Sequence, residues 1–363
     1  MIYRIGYLLP HVVLLYLLLS IGRGTFLQEA TPYSAFSTFI LALVYTGLAD
    51  WVLGRCTNNT FAYQSRAKAH LWLTRIILWL PLPLIAAFLF LVMKKISVQD
   101  QINGFSFAGL IFLCGLTSTL VCFIVGHELI HRASKLDQAI GGLLLCLVCY
   151  PGFKIEHRRS HHRWVGTEKD ASSAQKGQNL YYFLPRVIIQ NTREAWALEN
   201  QRLKNKAGLK KVMRHEMVYW TAINIALLFL AFIFFGGLAL AFFVLQALVA
   251  IIFLETINYI QHYGLRRERD KKGEYEPVGY QHSWNAPHWY SKWALFNLMS
   301  HSDHHMHQFQ PFWALQTTNA FPNLPFPTPI AVLVAFFPPL WRWVMDPLVD
   351  FYQNPAVEKL SAR

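Results

Sequence analysis

Six stretches of the chain are apolar almost throughout, on every helical face, instead of alternating between apolar and polar positions as a water-facing helix or strand would. They cover residues 5–21, 33–53, 71–93, 105–126, 218–235 and 238–260. A helix needs about 20 mostly apolar residues to cross the roughly 30 Å hydrocarbon layer of a bilayer, and each stretch is near that length. Only Gly236 and Gly237 separate the last two, which predicts a tight helical hairpin. The expected fold is therefore all-α and integral to a membrane, with six transmembrane helices. The first stretch, preceded by Arg4, also fits a signal peptide. Two further apolar runs are expected to be re-entrant or surface-lying. Residues 138–153 are uncharged but only 16 long, and 324–341 carry prolines at 325, 327, 329, 338 and 339 that would break a spanning helix. No internal repeat or low-complexity tract divides the chain, so a single integral-membrane domain over residues 1–363 is expected, with its motifs between 126 and 346.

The composition agrees with that pattern. Of 363 residues, 54% are hydrophobic and only 15% charged, which excludes a disordered chain, a disulfide-stapled secreted module and an ordinary soluble domain. Lysine and arginine number 33 against 20 acids, a net charge of +13. Six spans put both termini on one side. That side then collects 29 of the 33 basic residues, and the other side only Arg23, Lys94 and Lys95, with Arg75 inside a span. Positive charge concentrates on the cytoplasmic side, so both termini are expected there, and the first stretch is expected to be retained. Cysteines 56, 114, 122, 146 and 149 are odd in number and mostly sit in apolar runs, so no disulfide framework is implied. Cys146-x-x-Cys149 has no second pair, and a packing role is expected for it.

The chemistry is carried by histidine. Nine of the 15 fall in four clusters: GHELIHR (His127, His131), EHRRSHH (His157, His161, His162), NYIQHYGL (His262) and SHSDHH (His301, His304, His305). His127 and His131 share one helix face, and His157 and His161 repeat that spacing. In the six-span topology all four clusters reach the cytoplasmic face. Neutral imidazole binds iron, zinc and copper through nitrogen. One tetrahedral zinc takes about four ligands, so nine imidazoles point to two metals with room for oxygen or substrate. A competing reading takes HELIH as the H-E-x-x-H of a zinc intramembrane metalloprotease with Glu128 as base, but leaves seven histidines unused. A non-catalytic metal-binding or transport protein is a weaker fit, because polar residues within the spans are sparse.

In this order the clusters resemble the membrane-bound alkane monooxygenase family, with xylene monooxygenase and the integral-membrane fatty-acid desaturases as relatives. The flanking GTEKDASS, HSWN and FPNLP segments carry the resemblance too, and the HYG element sets the chain apart from ordinary desaturases. The resemblance implies a six-span fold and a non-haem di-iron centre held by His127, His131, His157, His161, His162, His262, His301, His304 and His305. It also implies O₂-dependent hydroxylation of the terminal methyl of a medium- or long-chain alkane to a primary alcohol. An aromatic methyl, a fatty acid or another lipid is the alternative substrate, and desaturation the alternative reaction. Three positions depart from the family pattern: Gln261 stands where Glu is usual, Ser160 where Gly is common and Ser300 where Arg is usual. None removes a histidine. Glu128, Glu156 and Asp303 adjoin ligands, and Glu255 lies two helical turns before His262; these acids are candidates for orienting imidazoles or conducting protons.

No G-x-G-x-x-G strand–helix motif and no paired CxxC rubredoxin-like module is present, so a separate electron donor is expected. The resemblance implies rubredoxin, reduced from NAD(P)H by rubredoxin reductase. Between His127 and His215, sixteen basic residues face seven acids, a net of +9 that would steer an acidic carrier and contact anionic lipid. The aromatics do not interleave with arginine as nucleic-acid binding requires. The expected location is a bacterial cytoplasmic membrane, with a hydrophobic substrate arriving through the bilayer.

Overall fold

The computed structural model describes residues 6–22, 34–56, 71–99, 102–316 and 322–354. Arg4, Ile5, Arg23, Tyr33, Arg66, Lys68, Phe321, Lys359 and Arg363, on which parts of the sequence reading rest, lie outside the described residues. Among the described residues every regular element is a helix, and strand-like pairing is limited to three isolated bridges. Four helical stretches are long and apolar enough to cross a membrane: Phe36–Leu53, Thr74–Ser97, Gly104–Ile130 and Glu216–His262. Gly6–Ser20 is a shorter apolar helix.

The chain forms two compact units that interleave along the sequence, and each is described by itself. The first comprises Met1–Tyr45, Ala67–Lys154 and Trp196–Phe253. Within it Pro81 removes one N–H from the helical stretch Thr74–Ser97 without ending it, since Leu80 keeps helical backbone, and the Ile77 carbonyl left over lies 2.6 Å from His11 Nε2. Helix Gly104–Ser118 begins at Asn103, whose side chain accepts from the Phe105 N–H at 2.9 Å. The Glu216–His262 stretch is not one straight rod. Gly236 has φ 80° and ψ 179°, backbone open to glycine alone, and the chain turns back there. The proof is in two amides: Asn224 Nδ2 donates to the Cys146 carbonyl at 2.8 Å and Gln246 Nε2 to the neighbouring Leu147 carbonyl at 3.2 Å. In a straight helix those residues would lie about 33 Å apart. The hairpin expected at the glycine pair is present.

Small and polar residues knit this unit where apolar side chains alone would give no specificity. A Cβ on Gly115 would stand 2.5 Å from Val249, so that pair of helices meets in close contact. Beside it Ser118 Oγ donates to Gln246 Oε1 at 2.8 Å, and Thr119 Oγ1 reaches the Ala250 carbonyl at 3.3 Å. The run at 138–153 forms helix Lys135–Cys146, capped by Ser134 and too short to span. Its Gly141 lies against helix Ile124–Ile130, where an added Cβ would meet the Gly126 carbonyl at 3.0 Å.

The second unit comprises Thr46–Arg66, Ile155–Ala195 and Leu254–Arg363. Its core is aromatic, with Trp284, Trp341, Tyr259 and Tyr263 fully buried. Three of the four polar ends have partners: Tyr259 Oη donates to the Gln178 carbonyl (2.6 Å), Tyr263 Oη to Asp346 (2.7 Å) and Trp284 Nε1 to the Tyr263 carbonyl (2.8 Å), while Trp341 Nε1 is buried without one. The proline-rich run at 324–341 breaks into helices Thr328–Ala335 and Pro338–Tyr352, each with proline in its first turn. None of the five cysteines forms a disulfide; burial pushes the Cys149 thiol up to about 11, so it stays protonated.

Replacing Gly236 by Ala is expected to cost about 1–3 kcal/mol, because the left-handed extended backbone excludes a Cβ. Gly237, whose backbone is helical, should tolerate Ala with little change. Thermal unfolding of the two variants in detergent measures the difference.

Candidate metal centre

The second histidine cluster is wound as a π turn over His157–His161, and the His162 N–H closes on the His157 carbonyl five residues back. In an α-helix, with about 3.6 residues per turn, positions five apart diverge. Here they converge, and His162 Nε2 lies 3.1 Å from His157 Nε2. His161 remains stacked beside His157, ring centroids 5.0 Å apart. The fourth cluster sits on the short helix His301–Met306, anchored by a reciprocal pair: Ser302 N–H donates to Asn285 Oδ1 (3.0 Å) and Asn285 Nδ2 to Ser302 Oγ (2.8 Å). The HSWN segment thus holds the SHSDHH helix in place.

Seven of the predicted ligands lie in this unit, all buried. They form two sets. In one, His162 Nε2 faces both His157 Nε2 and His304 Nε2 at 3.1 Å. In the other, His301 Nε2 faces His262 Nε2 at 3.0 Å and His305 Nε2 at 3.1 Å, and with His161 their ligand atoms all lie within 4.8 Å of one another. The sets touch through His162 and His305, ring centroids 4.5 Å apart. His127 and His131 belong to the first unit. They are buried on helix Ile124–Ile130 and its C-cap with ring centroids 4.8 Å apart, just after a second π turn at Thr119–Phe123.

These nitrogens cannot satisfy one another. A neutral imidazole nitrogen is either one donor or one acceptor, so a central Nε2 facing two others at hydrogen-bond distance leaves a contact unmet in each set. His161 Nε2 is buried with no hydrogen-bond partner at all. Burial, then the neighbouring His162, His301, His161 and His262, hold His305 well below the usual histidine range, which keeps it neutral with lone pairs available. A cation that accepts several lone pairs resolves this arrangement, and an all-nitrogen donor set suits iron, zinc or copper. The residues therefore fit a metal centre.

The acids beside the ligands behave differently from one another. Glu128 is ion-paired with Arg132 at 2.9 Å, an arrangement that turns it to a cation rather than leaving it as a free base. Glu156 is fully buried, and burial followed by the like charges of Asp170, Glu255 and Glu194 raises its pKa well above the carboxylate range. Glu255 accepts from Asn258 Nδ2 at 2.9 Å. Asp303 receives Tyr280 Oη (3.2 Å), His307 Nδ1 (3.0 Å) and the Gln316 N–H (2.8 Å), so it braces the surrounding loops. An acid that grips a ligand is Asp170, not singled out from the sequence although it lies in GTEKDASS. Its Oδ2 meets His161 Nδ1 at 3.0 Å and receives Ser173 Oγ at 2.6 Å, while Oδ1 accepts the Ser172 N–H at 3.1 Å. Burial alone would raise Asp170; the electrostatic pull and hydrogen bond of His161, with that of Ser173, hold it below its ordinary value. Ser283 Oγ stands 3.4 Å from His262 Nδ1. The three departures from the family pattern all have local partners: Ser160 with Glu194, Ser300 with Asn297 and Gln261 with Met299.

Residues 104–327 match the family described as Fatty acid desaturase, a range containing every candidate ligand. The chain is 42% identical to alkane 1-monooxygenase 1 of Pseudomonas aeruginosa over 70% of its own length and 66% of that protein's. It is 44% identical to alkane 1-monooxygenase 2 of the same organism over 67% of its length and 65% of the relative's. These two alignments span a little under two thirds of the relatives' own length. With alkane 1-monooxygenase of Pseudomonas putida the identity is 32%, over 93% of this chain and 84% of that protein. The chain belongs to the alkane 1-monooxygenase family. Together with its long apolar helices, that membership makes it an integral membrane protein.

In this alkane 1-monooxygenase family member, Asp170→Asn is expected to weaken metal retention roughly 10- to 100-fold, because the amide no longer anchors the His161 tautomer. Metal bound per chain after stepwise chelation checks it, and wild-type retention would rule out the anchoring role.

Proposed function

We propose that this protein hydroxylates the terminal methyl of a medium- or long-chain alkane to a primary alcohol, using O₂ and two non-haem irons. The observation that carries the reading is the convergence of buried, nearly purely imidazole donors in a chain of this family. One iron is assigned to His161, His262, His301 and His305. The other is assigned to His157, His162 and His304, and His127 and His131 are the further ligands that the family resemblance implies. The whole chain acts as one integral-membrane domain of six spans in a bacterial inner membrane, with both termini and the metal site cytoplasmic. The basic-residue asymmetry supports that orientation.

The irons supply the oxidising power that no side chain has. The protein's own residues position and exclude. Asp170 fixes the His161 proton on Nδ1, directing Nε2 inward. The Asn285–Ser302 pair fixes the helix that presents His301, His304 and His305. The apolar spans admit a hydrocarbon from the bilayer and keep water out. Electrons come from NAD(P)H through rubredoxin reductase and rubredoxin, attracted to the basic cytoplasmic segments. The resemblance to xylene monooxygenase leaves an aromatic methyl as the alternative substrate class.

Elemental analysis of detergent-purified protein is expected to give about two irons per chain with little zinc; about one zinc and no iron would overturn the reading in favour of a metalloprotease. With rubredoxin, its reductase, NADH and a ladder of n-alkanes, 1-alcohols should form, and His304→Ala should abolish them while lowering bound iron. The rate of electron delivery should fall steeply as salt rises, since the attraction is between exposed charges.

A further inference from the structure

A cavity of about 470 Å³ lies in the second unit, outside the histidine sets. Lys176, Arg266, Arg267 and Arg269 line it, and Glu168 is its one acid among the described residues. Two cations are matched: Lys176 pairs with Asp350, and Arg269 reaches Glu168 at 3.1 Å and Tyr275 Oη at 2.6 Å. Arg267 gives its N–H groups to neutral carbonyls, those of Glu276 at 2.7 Å and Arg163 at 2.9 Å. Arg266 is different, because its Nη1 is buried with no hydrogen-bond partner. Arg266 lines the cavity as a half-buried guanidinium with one N–H group unpaired, and such a group can take an acceptor from a bound ion or ligand.

We infer that this cavity is a binding site for a phosphate-class anion, with Arg266 as its principal donor. Several guanidinium and ammonium groups converging on one space suit a group with three or more acceptor oxygens better than a single carboxylate. The two sources of that chemistry are a phospholipid headgroup and free phosphate. Position favours the headgroup: Gly264, in the cavity wall, comes two residues after helix Glu216–His262 ends, and basic pockets at the ends of membrane helices take anionic headgroups. The site also matters to the metal centre. One wall is the 166–176 loop that carries Asp170, and the other is the 264–269 segment that follows His262. Arg267 already joins them through its N–H to the Gly166 carbonyl at 2.8 Å. Arg269 with Glu168 and the Gly264 N–H with the Ala174 carbonyl (3.0 Å) join them too, and an anion shared between Arg266 and Lys176 adds a further link, so occupancy stiffens the supports of both His161 and His262.

The test uses full-length, delipidated protein and reads binding, not turnover, so it is independent of the alkane reading. Inorganic phosphate is titrated by calorimetry, and thermal unfolding is compared in nanodiscs of phosphatidylglycerol and of phosphatidylcholine. A rise of several degrees is expected with phosphatidylglycerol over phosphatidylcholine, or with phosphate, and slower iron loss to a chelator should accompany it. A response to the lipid alone identifies a headgroup, and one to phosphate alone identifies a free anion; either supports the site. Arg266→Gln should weaken binding about tenfold or more, with Arg266→Lys intermediate. Arg269→Gln gives a second reading should Arg266→Gln not fold, and severalfold weakening is expected there. Exposed Lys210→Gln should leave the response unchanged. No response in the wild type, an undiminished response in Arg266→Gln, or protection by rubredoxin but by neither phosphate nor lipid would overturn the proposal.

Discussion

Buried imidazole nitrogens that face one another govern the second unit. Each such nitrogen has lost water, and each has only one lone pair or one proton with which to recover the lost interaction. His162 and His301 each face two neighbours at about hydrogen-bond distance, so no assignment of protons satisfies both sets. A cation removes the conflict. Crowding of buried imidazoles in a low-dielectric interior would make the surrounding framework and a bound metal interdependent.

That framework is rigid for identifiable reasons. The π turn at His157–His161 sacrifices regular α-helical bonding to bring three histidines onto one side, and a second π turn precedes His127. Asp170 fixes one imidazole and is itself held by Ser172 and Ser173. The Asn285–Ser302 pair fixes the helix bearing three more histidines, and the buried Trp284 locks the segment to the Tyr263 carbonyl. In the first unit the same logic serves a different end. Apolar helices gain little from association in lipid, so Gly115, Ser118, Thr119, Asn224 and Gln246 supply close approach and directed bonds.

Much of the fold was legible because the bilayer imposes a coarse rule on composition. The helical character, the hairpin at Gly236 and Gly237, the shortness of the 138–153 segment and the proline breaks after 324 all follow from length, charge and backbone chemistry. The bond lost at Pro81, and the placing of His11 beside the Ile77 carbonyl, fall inside a run that hydropathy alone reads as uniform. Asp303 adjoins a ligand in sequence, yet it bonds to Tyr280, His307 and Gln316. Asp170 lies nine residues from His161 with a bend between, a spacing with no helical meaning, and it makes the contact.

The sequence by itself determined what the donors are: how many histidines, on which segments, among how few competing acids. Side-chain identity and hydrophobic length are local properties, and they survive reading in one dimension. The partition of the imidazoles into sets, the choice of Asp170 as anchor and the orphaned Arg266 were decided only by tertiary structure. Each depends on where a nitrogen lone pair or N–H points, and that direction is set by π-turn winding and by bonds between residues far apart in the chain.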